Sequence, residues 1–206
     1  MPMRQPQVPI WKRSLDLLVS SVGLLLLWPL FAGIAVLIKL DSKGPVFFCQ
    51  ERIGQGLRKF MIYKFRTMVN DAPIKGSQIT SAGDSRITRI GHILRKTKMD
   101  EFPQLINVLR GDMSLVGPRP EVPRYVDLFR QEYQEILRVQ PGMTDLASLK
   151  YRSESDILRL AADPEHEYVT RLLPDKIALA KEYVRRSSFC FDISLIFKTV
   201  VRVVCG

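Results

Sequence analysis

Between Asp16 and Lys39 the chain carries no charge: Leu17 to Ile38 is a run of 22 uncharged residues, mostly Leu, Val, Ile, Phe, Gly and Ala. A run of that length is enough to cross a bilayer as a helix. It is too long for a signal-peptide core and no small-residue cleavage site follows, so it is expected to stay in the mature protein. Basic residues flank it on both sides, Arg4, Lys12 and Arg13 before, Lys39, Lys43, Arg52, Arg58 and Lys59 after. The excess of cations at both ends favours a cytoplasmic position for both. Pro29, near the middle, removes a backbone donor and clashes with the preceding turn, so a kink at Trp28-Pro29 would let the helix turn back. On residue physics alone a spanning helix and a re-entrant one remain equal alternatives.

The 206 residues can bury one sizeable core, and 46% hydrophobic with 25% charged residues describes a folded chain. The net charge of +10 implies an anionic partner: nucleic acid, an anionic leaflet or a phosphorylated substrate. Basic residues are interleaved with carboxylates and no nucleic-acid motif is present, so no nucleic-acid partner is expected. Cys49, Cys190 and Cys205 are odd in number and widely spaced, which favours a reducing, cytoplasmic environment over a disulfide framework. His92 and His166 bring no ligand spacing and are read as non-catalytic.

The stretch from Arg95 to Pro120 concentrates opposed charges. Asp100 and Glu101 are adjacent and stand just before Phe102, Pro103, Leu105, Ile106, Val108 and Leu109, so Asp100 reads as the N-cap of a helix that tolerates Pro103 in its first turn. Backbone N–H groups there would hold a carboxylate ionised. An ionised carboxylate can attack phosphorus or bind a hard divalent cation, while arginines grip phosphate oxygens in bidentate geometry. The set fits phosphoryl transfer, whereas an isolated Asp-Glu pair before a helix would favour an ordinary capped helix with solvated charges.

The expected fold is α+β and mainly helical. Residues 45–50 and 60–66 read as two strands of a hairpin joined through Gly54-Gln55-Gly56. In the second, period two puts Lys64 and Arg66 on the face of Phe60 and Ile62, which points to an anion at its end or to a solvated edge. Residues 71–84 read as a loop beside the site. A helix is expected over 86–97, with Ile87, Ile90 and Leu94 on one face, and another over 123–139. Ser153 with Asp156 reads as a capping pair for a short helix to Ala162, and Pro174 divides the helical stretch that follows. Residues 189–204 are too short and interrupted to span and suit an amphipathic interfacial helix or a helix packed under the domain.

The ordered motifs Asp100-Glu101-Phe102-Pro103-Gln104-Leu105, Arg110-Gly111-Asp112-Met113-Ser114 and Gly117-Pro118-Arg119-Pro120 resemble the bacterial sugar transferase family, small monotopic phosphoglycosyl transferases. The likeness extends to residues 12–16, to Gly44-Pro45-Val46-Phe47-Phe48 with Gln50, Arg52 and Gly54, and to Tyr63-Lys64-Phe65-Arg66-Thr67-Met68, covering roughly 12–144. It implies a re-entrant helix in residues 1–40 and a catalytic domain over 41–206 at the cytoplasmic face of the bacterial inner membrane. It also implies transfer of a sugar 1-phosphate from a UDP-sugar to polyprenyl (undecaprenyl) phosphate to begin glycan assembly. By resemblance Asp100 is the nucleophile, forming a covalent phosphosugar intermediate, Asp100 and Glu101 hold Mg2+, and Lys64, Arg95 and Arg119 bind substrate phosphate, with Arg66 joining them by strand parity. Two departures stand out: Trp28-Pro29 replaces the family's Ser-Pro, and after Pro141-Gly142 the common Thr-Gly-Trp-Ala-Gln gives way to Met143-Thr144-Asp145-Leu146-Ala147. The rival readings are a membrane-anchored anion-binding protein and a catalytically silent scaffold of the same fold. Homo-oligomerisation stays open.

Overall fold

The computed structural model describes residues 8–70, 83–151 and 153–205. In chain order these form α1 (Ile10–Asp41), β1 (Phe47–Ile53), β2 (Lys59–Phe65), α2 (Arg89–Thr97), a 3-10 turn (Met99–Glu101), α3 (Gln104–Arg110), β3 (Ser114–Val116), α4 (Pro123–Leu128), α5 (Arg130–Ile136), β4 (Gly142–Thr144), α6 (Leu146–Lys150), α7 (Glu154–Leu160), α8 (Pro164–Glu167), α9 (Leu173–Arg186) and α10 (Phe189–Cys205). The architecture is the α+β, mainly helical one that the residue patterns predict. β1 and β2 make the expected antiparallel hairpin, Phe47 opposite Phe65 and Ile53 opposite Lys59.

Several boundaries differ for local reasons. α2 begins after Thr88 rather than at Arg86, because the Thr88 hydroxyl accepts from the Gly91 N–H at 3.0 Å while Ile87 is still bridged to Met68. The helix expected over 123–139 is two helices, broken at Phe129 (φ −123°, ψ 44°). Ser153 precedes α7 without making a side-chain cap bond. Pro174 sits in the first turn of α9, where its missing N–H costs nothing, and a π-helical turn over Tyr168–Leu172 leads into it. Of the loop expected over 71–84, residues 71–82 lie outside the described residues.

α1 is helical on both sides of Pro29 and lies along the domain on one stripe. Lys12, Asp16, Ser20, Ile34 and Ile38 are buried, while Leu24, Leu27 and Phe31 pack against the cores between them. Near its start, Lys12 Nζ donates to the Val116 carbonyl at 2.9 Å and forms a buried ion pair with Asp192 of α10, joined by the Tyr183 hydroxyl. Arg13 donates to the Val108 and Leu109 carbonyls at 2.7 and 2.8 Å, and Asp16 accepts from the Leu115 N–H at 2.9 Å. Arg13 and Asp16 thus form no salt bridge with each other: each side chain satisfies backbone groups left open at the end of α3 and in β3. At the other end Asp41 accepts from the Ile90 N–H at 3.0 Å. The opposite face is apolar and open, with Leu25, Leu26 and Trp28 exposed by 71%, 72% and 63%.

β3 and β4 form a parallel pair that no strand pattern announced, Ser114 opposite Gly142 and Val116 opposite Thr144. They approach closely because both sides are glycine where the backbones meet. A Cβ on Gly142 would stand 2.0 Å from the backbone nitrogen of Gly117. Backbone cannot yield as a side-chain tip can, so Gly142→Ala is expected to destabilise the protein by roughly 1–3 kcal/mol, the usual cost of overpacking. Thermal unfolding of the detergent-solubilised variant checks this, and an unchanged melting temperature would contradict the close contact.

Candidate active site

The site is built on the turn between α2 and α3. Lys98 ends α2 in the left-handed conformation (φ 59°, ψ 13°) and swings the chain into the 3-10 turn that holds Asp100 and Glu101. Asp100 is thus not the N-cap of α3, as the sequence pattern had it: Pro103 occupies that position and no side chain caps the helix. Freed from capping, the Asp100 carboxylate is buried, and its Oδ1 has no hydrogen-bond partner in the structure.

Glu101 is placed differently. Its Oε1 accepts from Lys64 Nζ at 2.7 Å, and Arg119 donates to both of its oxygens, Nη1 reaching Oε2 at 3.3 Å. Lys64 comes from β2 and Arg119 from the segment after β3, so one carboxylate ties three separate pieces of chain. Burial pushes Glu101 up, but the charges and hydrogen bonds of Arg119 and Lys64 outweigh it and hold the carboxyl well below its usual range. Burial, and then the neighbouring Glu101 charge, raise Asp100, against the opposing pull of Lys64, Arg95 and Lys98. Two adjacent carboxylates are driven in opposite directions.

Lys64, Arg95 and Arg119 therefore converge on the Asp100-Glu101 turn as expected from the motifs. Arg95 spends its Nε on the Thr67 hydroxyl at 2.8 Å; burial lowers its basicity, and Asp100 is the largest influence restoring it. Arg66 does not join them. Its guanidinium is buried against the end of α1, donating to the Ser42 and Lys43 carbonyls at 2.7 and 2.9 Å and to the Ser42 hydroxyl at 2.9 Å. It terminates a helix, where carbonyls lack partners, and both of its Nη nitrogens are engaged there rather than at the Asp100-Glu101 turn. Trp28 and Pro29 lie on α1, away from this cluster of charges.

A divalent cation needs hard oxygen ligands, and the unpartnered Asp100 Oδ1 is one. No group of three metal-ligating side chains occurs among the described residues. The donor set fits an ion such as Mg2+, which accepts one or two carboxylates and takes its remaining ligands from water and substrate phosphate. Glu101, its oxygens already engaged by Lys64 and Arg119, is the less available of the pair.

A second layer of charge behind Arg119 was not singled out from sequence. Glu121 accepts from Arg52 at 3.0 Å, from the Tyr168 hydroxyl at 2.6 Å and from the Val122 N–H at 2.9 Å. Asp145, at the position where the chain departs from the common motif, caps α6 through the Ser148 N–H. That departure was the one signal in the sequence that could have marked it.

Residues 7–206 match the bacterial sugar transferase family. The chain belongs to that family. Among its relatives, the UDP-N-acetylgalactosamine-undecaprenyl-phosphate N-acetylgalactosaminephosphotransferase of Aeromonas hydrophila is 39% identical over 95% of this chain and 44% of its own length. The undecaprenyl-phosphate glucose phosphotransferase of Komagataeibacter xylinus is 42% identical over 93% of this chain and 35% of its own length. The exopolysaccharide production protein PSS of Rhizobium leguminosarum bv. phaseoli is 40% identical over 93% of this chain and 94% of its own. The chain thus spans less than half of the first two relatives and nearly all of the third.

The opposed carboxylates of this family member carry a stability signature. Asp100 sits above its ordinary 3.8, so its ionisation in the folded protein costs stability at neutral pH, and that cost fades as pH falls through the raised folded-state value toward 3.8, below which it is gone. Glu101 sits below its ordinary 4.5, so the stability it contributes is complete above that value and lost as pH drops toward its folded pKa. Asp100→Asn is expected to raise the melting temperature at pH 7 in the presence of a chelator, and Glu101→Gln to lower it. Melting curves of the two variants and the wild type check the signs, and a lowered value for Asp100→Asn would contradict this electrostatic picture.

Proposed function

We propose that the protein transfers a sugar 1-phosphate from a UDP-sugar to undecaprenyl phosphate at the cytoplasmic face of the bacterial inner membrane. The observation that carries this reading is the division of labour in the turn: Glu101 is fully engaged by Lys64 and Arg119, whereas Asp100 keeps a buried oxygen free. In the proposed mechanism an Asp100 oxygen attacks the phosphorus bearing the sugar, the P–O–P bond breaks, and UMP leaves with the bonding electron pair. The aspartyl phosphosugar is then attacked by an oxygen of undecaprenyl phosphate, which restores the Asp100 carboxylate and yields the undecaprenyl diphosphate sugar. Lys64, Arg95 and Arg119 neutralise phosphate oxygens, and their convergence from three segments orients the diphosphate for in-line displacement. Bound by Asp100 and the donor diphosphate, Mg2+ would supply charge neutralisation that makes UMP a better leaving group.

The acceptor is a lipid, and α1 supports a membrane location. It is long and apolar enough to cross a membrane, yet its two ends both pack on the same domain, through Lys12 and Asp16 at one end and Ile38 and Asp41 at the other. A re-entrant helix dipping into one leaflet by its exposed Leu25, Leu26 and Trp28 accommodates both facts and keeps the catalytic turn near headgroup depth. The relatives named for undecaprenyl phosphate and exopolysaccharide production agree with the assignment.

Two experiments test it. Incubation with a panel of UDP-sugars and undecaprenyl phosphate should release UMP, chelation should stop the release, and mass spectrometry with donor alone should find a phosphosugar on Asp100 that Asp100→Asn lacks. Turnover by Asp100→Asn would refute the nucleophile. For topology, a reporter cysteine near the start of α1, in a background lacking Cys49, Cys190 and Cys205, should resist an impermeant maleimide on intact cells and react once the membrane is opened. Labelling from outside would demonstrate a spanning helix.

A further inference from the structure

Behind Arg119 lies a carboxylate whose local role does not explain its charge. Asp145 directly follows β4 and Arg119 lies three residues beyond β3; the parallel register of Val116 with Thr144, and the bond from the Gly117 N–H to the Thr144 carbonyl, bring both to the same end of that pair. Asp145 is 3% exposed. Its Oδ1 accepts from the Ser148 N–H and caps α6, while its Oδ2 is buried with no partner. Asp145 and Arg119 line one cavity of about 30 Å3, together with Glu121, Tyr133 and Lys176.

Capping α6 needs only an oxygen acceptor, which asparagine or serine supplies equally well. Burying an ionised oxygen without a partner costs stability unless an opposite charge compensates. The other charges around the cavity are engaged: Glu121 by Arg52 and Tyr168, and Lys176 by Glu154 at 2.5 Å. Burial raises Asp145, and the strongest influence opposing it is Arg119. Arg119 therefore has a hydrogen-bonded carboxylate on its catalytic side, Glu101, and a second carboxylate across the cavity.

We propose that Asp145 is a positioning residue for the transfer reaction: its unpartnered oxygen, acting across the cavity, holds the Arg119 guanidinium in the orientation that meets the phosphate during displacement. This rests on the transferase reading above. When a donor diphosphate arrives, its oxygens compete with Glu101 for Arg119. A fixed negative charge on the far side keeps the guanidinium from swinging fully onto the ground-state diphosphate, so the contact is best made as charge develops on the transferring phosphoryl group. Loss of Asp145 should then lower kcat without raising the KM for the donor.

The test compares wild type, Asp145→Asn and Asp145→Ala in UMP release and in thermal unfolding. Asp145→Asn keeps the cap and removes only the charge, so its melting temperature should equal or exceed that of the wild type while kcat falls roughly ten- to hundredfold, the scale on which misplaced catalytic groups act. Asp145→Ala should lose kcat similarly and also melt lower, because the cap goes too. An Asp145→Asn variant with wild-type kcat would reduce Asp145 to a helix cap and overturn the proposal, as would a lower melting temperature accompanying the loss of kcat. A wild type that releases UMP from no donor would refute the transferase reading itself, and the positioning role with it.

Discussion

The turn that carries Asp100 and Glu101 is tied to its surroundings by the engagement of Glu101 with Lys64 and Arg119. Two cations from different segments would repel each other at this distance from solvent were the carboxylate not between them. Once both are bound to it, β2, the 3-10 turn and the segment after β3 are held in register by a single side chain. Burial raises Asp100, and the same arrangement adds to it, because a neighbour that stays ionised penalises a second charge beside it. The turn thus holds one satisfied and one unsatisfied carboxylate side by side, and it is the unsatisfied one that the proposed reaction uses.

α1 extends this economy along the domain. Lys12, Arg13 and Asp16 reach backbone and side-chain groups of the domain rather than one another, so the helix is fixed in rotation: the stripe of Lys12, Asp16, Ser20, Ile34 and Ile38 faces protein and much of the remaining apolar surface faces outward. α10 adds Phe189, Ile193, Phe197 and Val200 to the exposed apolar surface while its Leu195 is buried in the same core as Leu105 and Val108. The first and last helices are thereby joined under β3, the strand that leads to Arg119.

Much of this was legible in the chain. The charged cluster of Asp100, Glu101, Lys64 and Arg119 lies in dense, ordered motifs, and the hairpin and the long apolar run follow from period and length. Arg66 was misplaced because strand parity reports a face and not what stands at its end, and the carbonyls of Ser42 and Lys43 are as good an acceptor set as a phosphate. Asp100 lost its cap role to a left-handed Lys98, a conformation that no side-chain preference for lysine announces. The β3–β4 pairing is set by the close approach of two glycines, and the break at Phe129 falls where that side chain packs against the hydrophobic core, neither of which propensity announces. Lys12 and Asp192 carry no shared sequence signal at all.

That last pair has a consequence for how the protein is made. Lys12 and Asp192 are separated by 180 residues, so the ion pair closes a loop almost as long as the chain. At translation speeds of roughly 5–20 residues per second, some ten to thirty-five seconds pass between the synthesis of the lysine and of its carboxylate. During that interval α1 has its apolar surface complete and its buried cation without Asp192. The core around Lys12 therefore cannot be finished until nearly the whole of this stretch has been made, and the closing of the last helix onto Lys12 is the step that joins the first helix to the last.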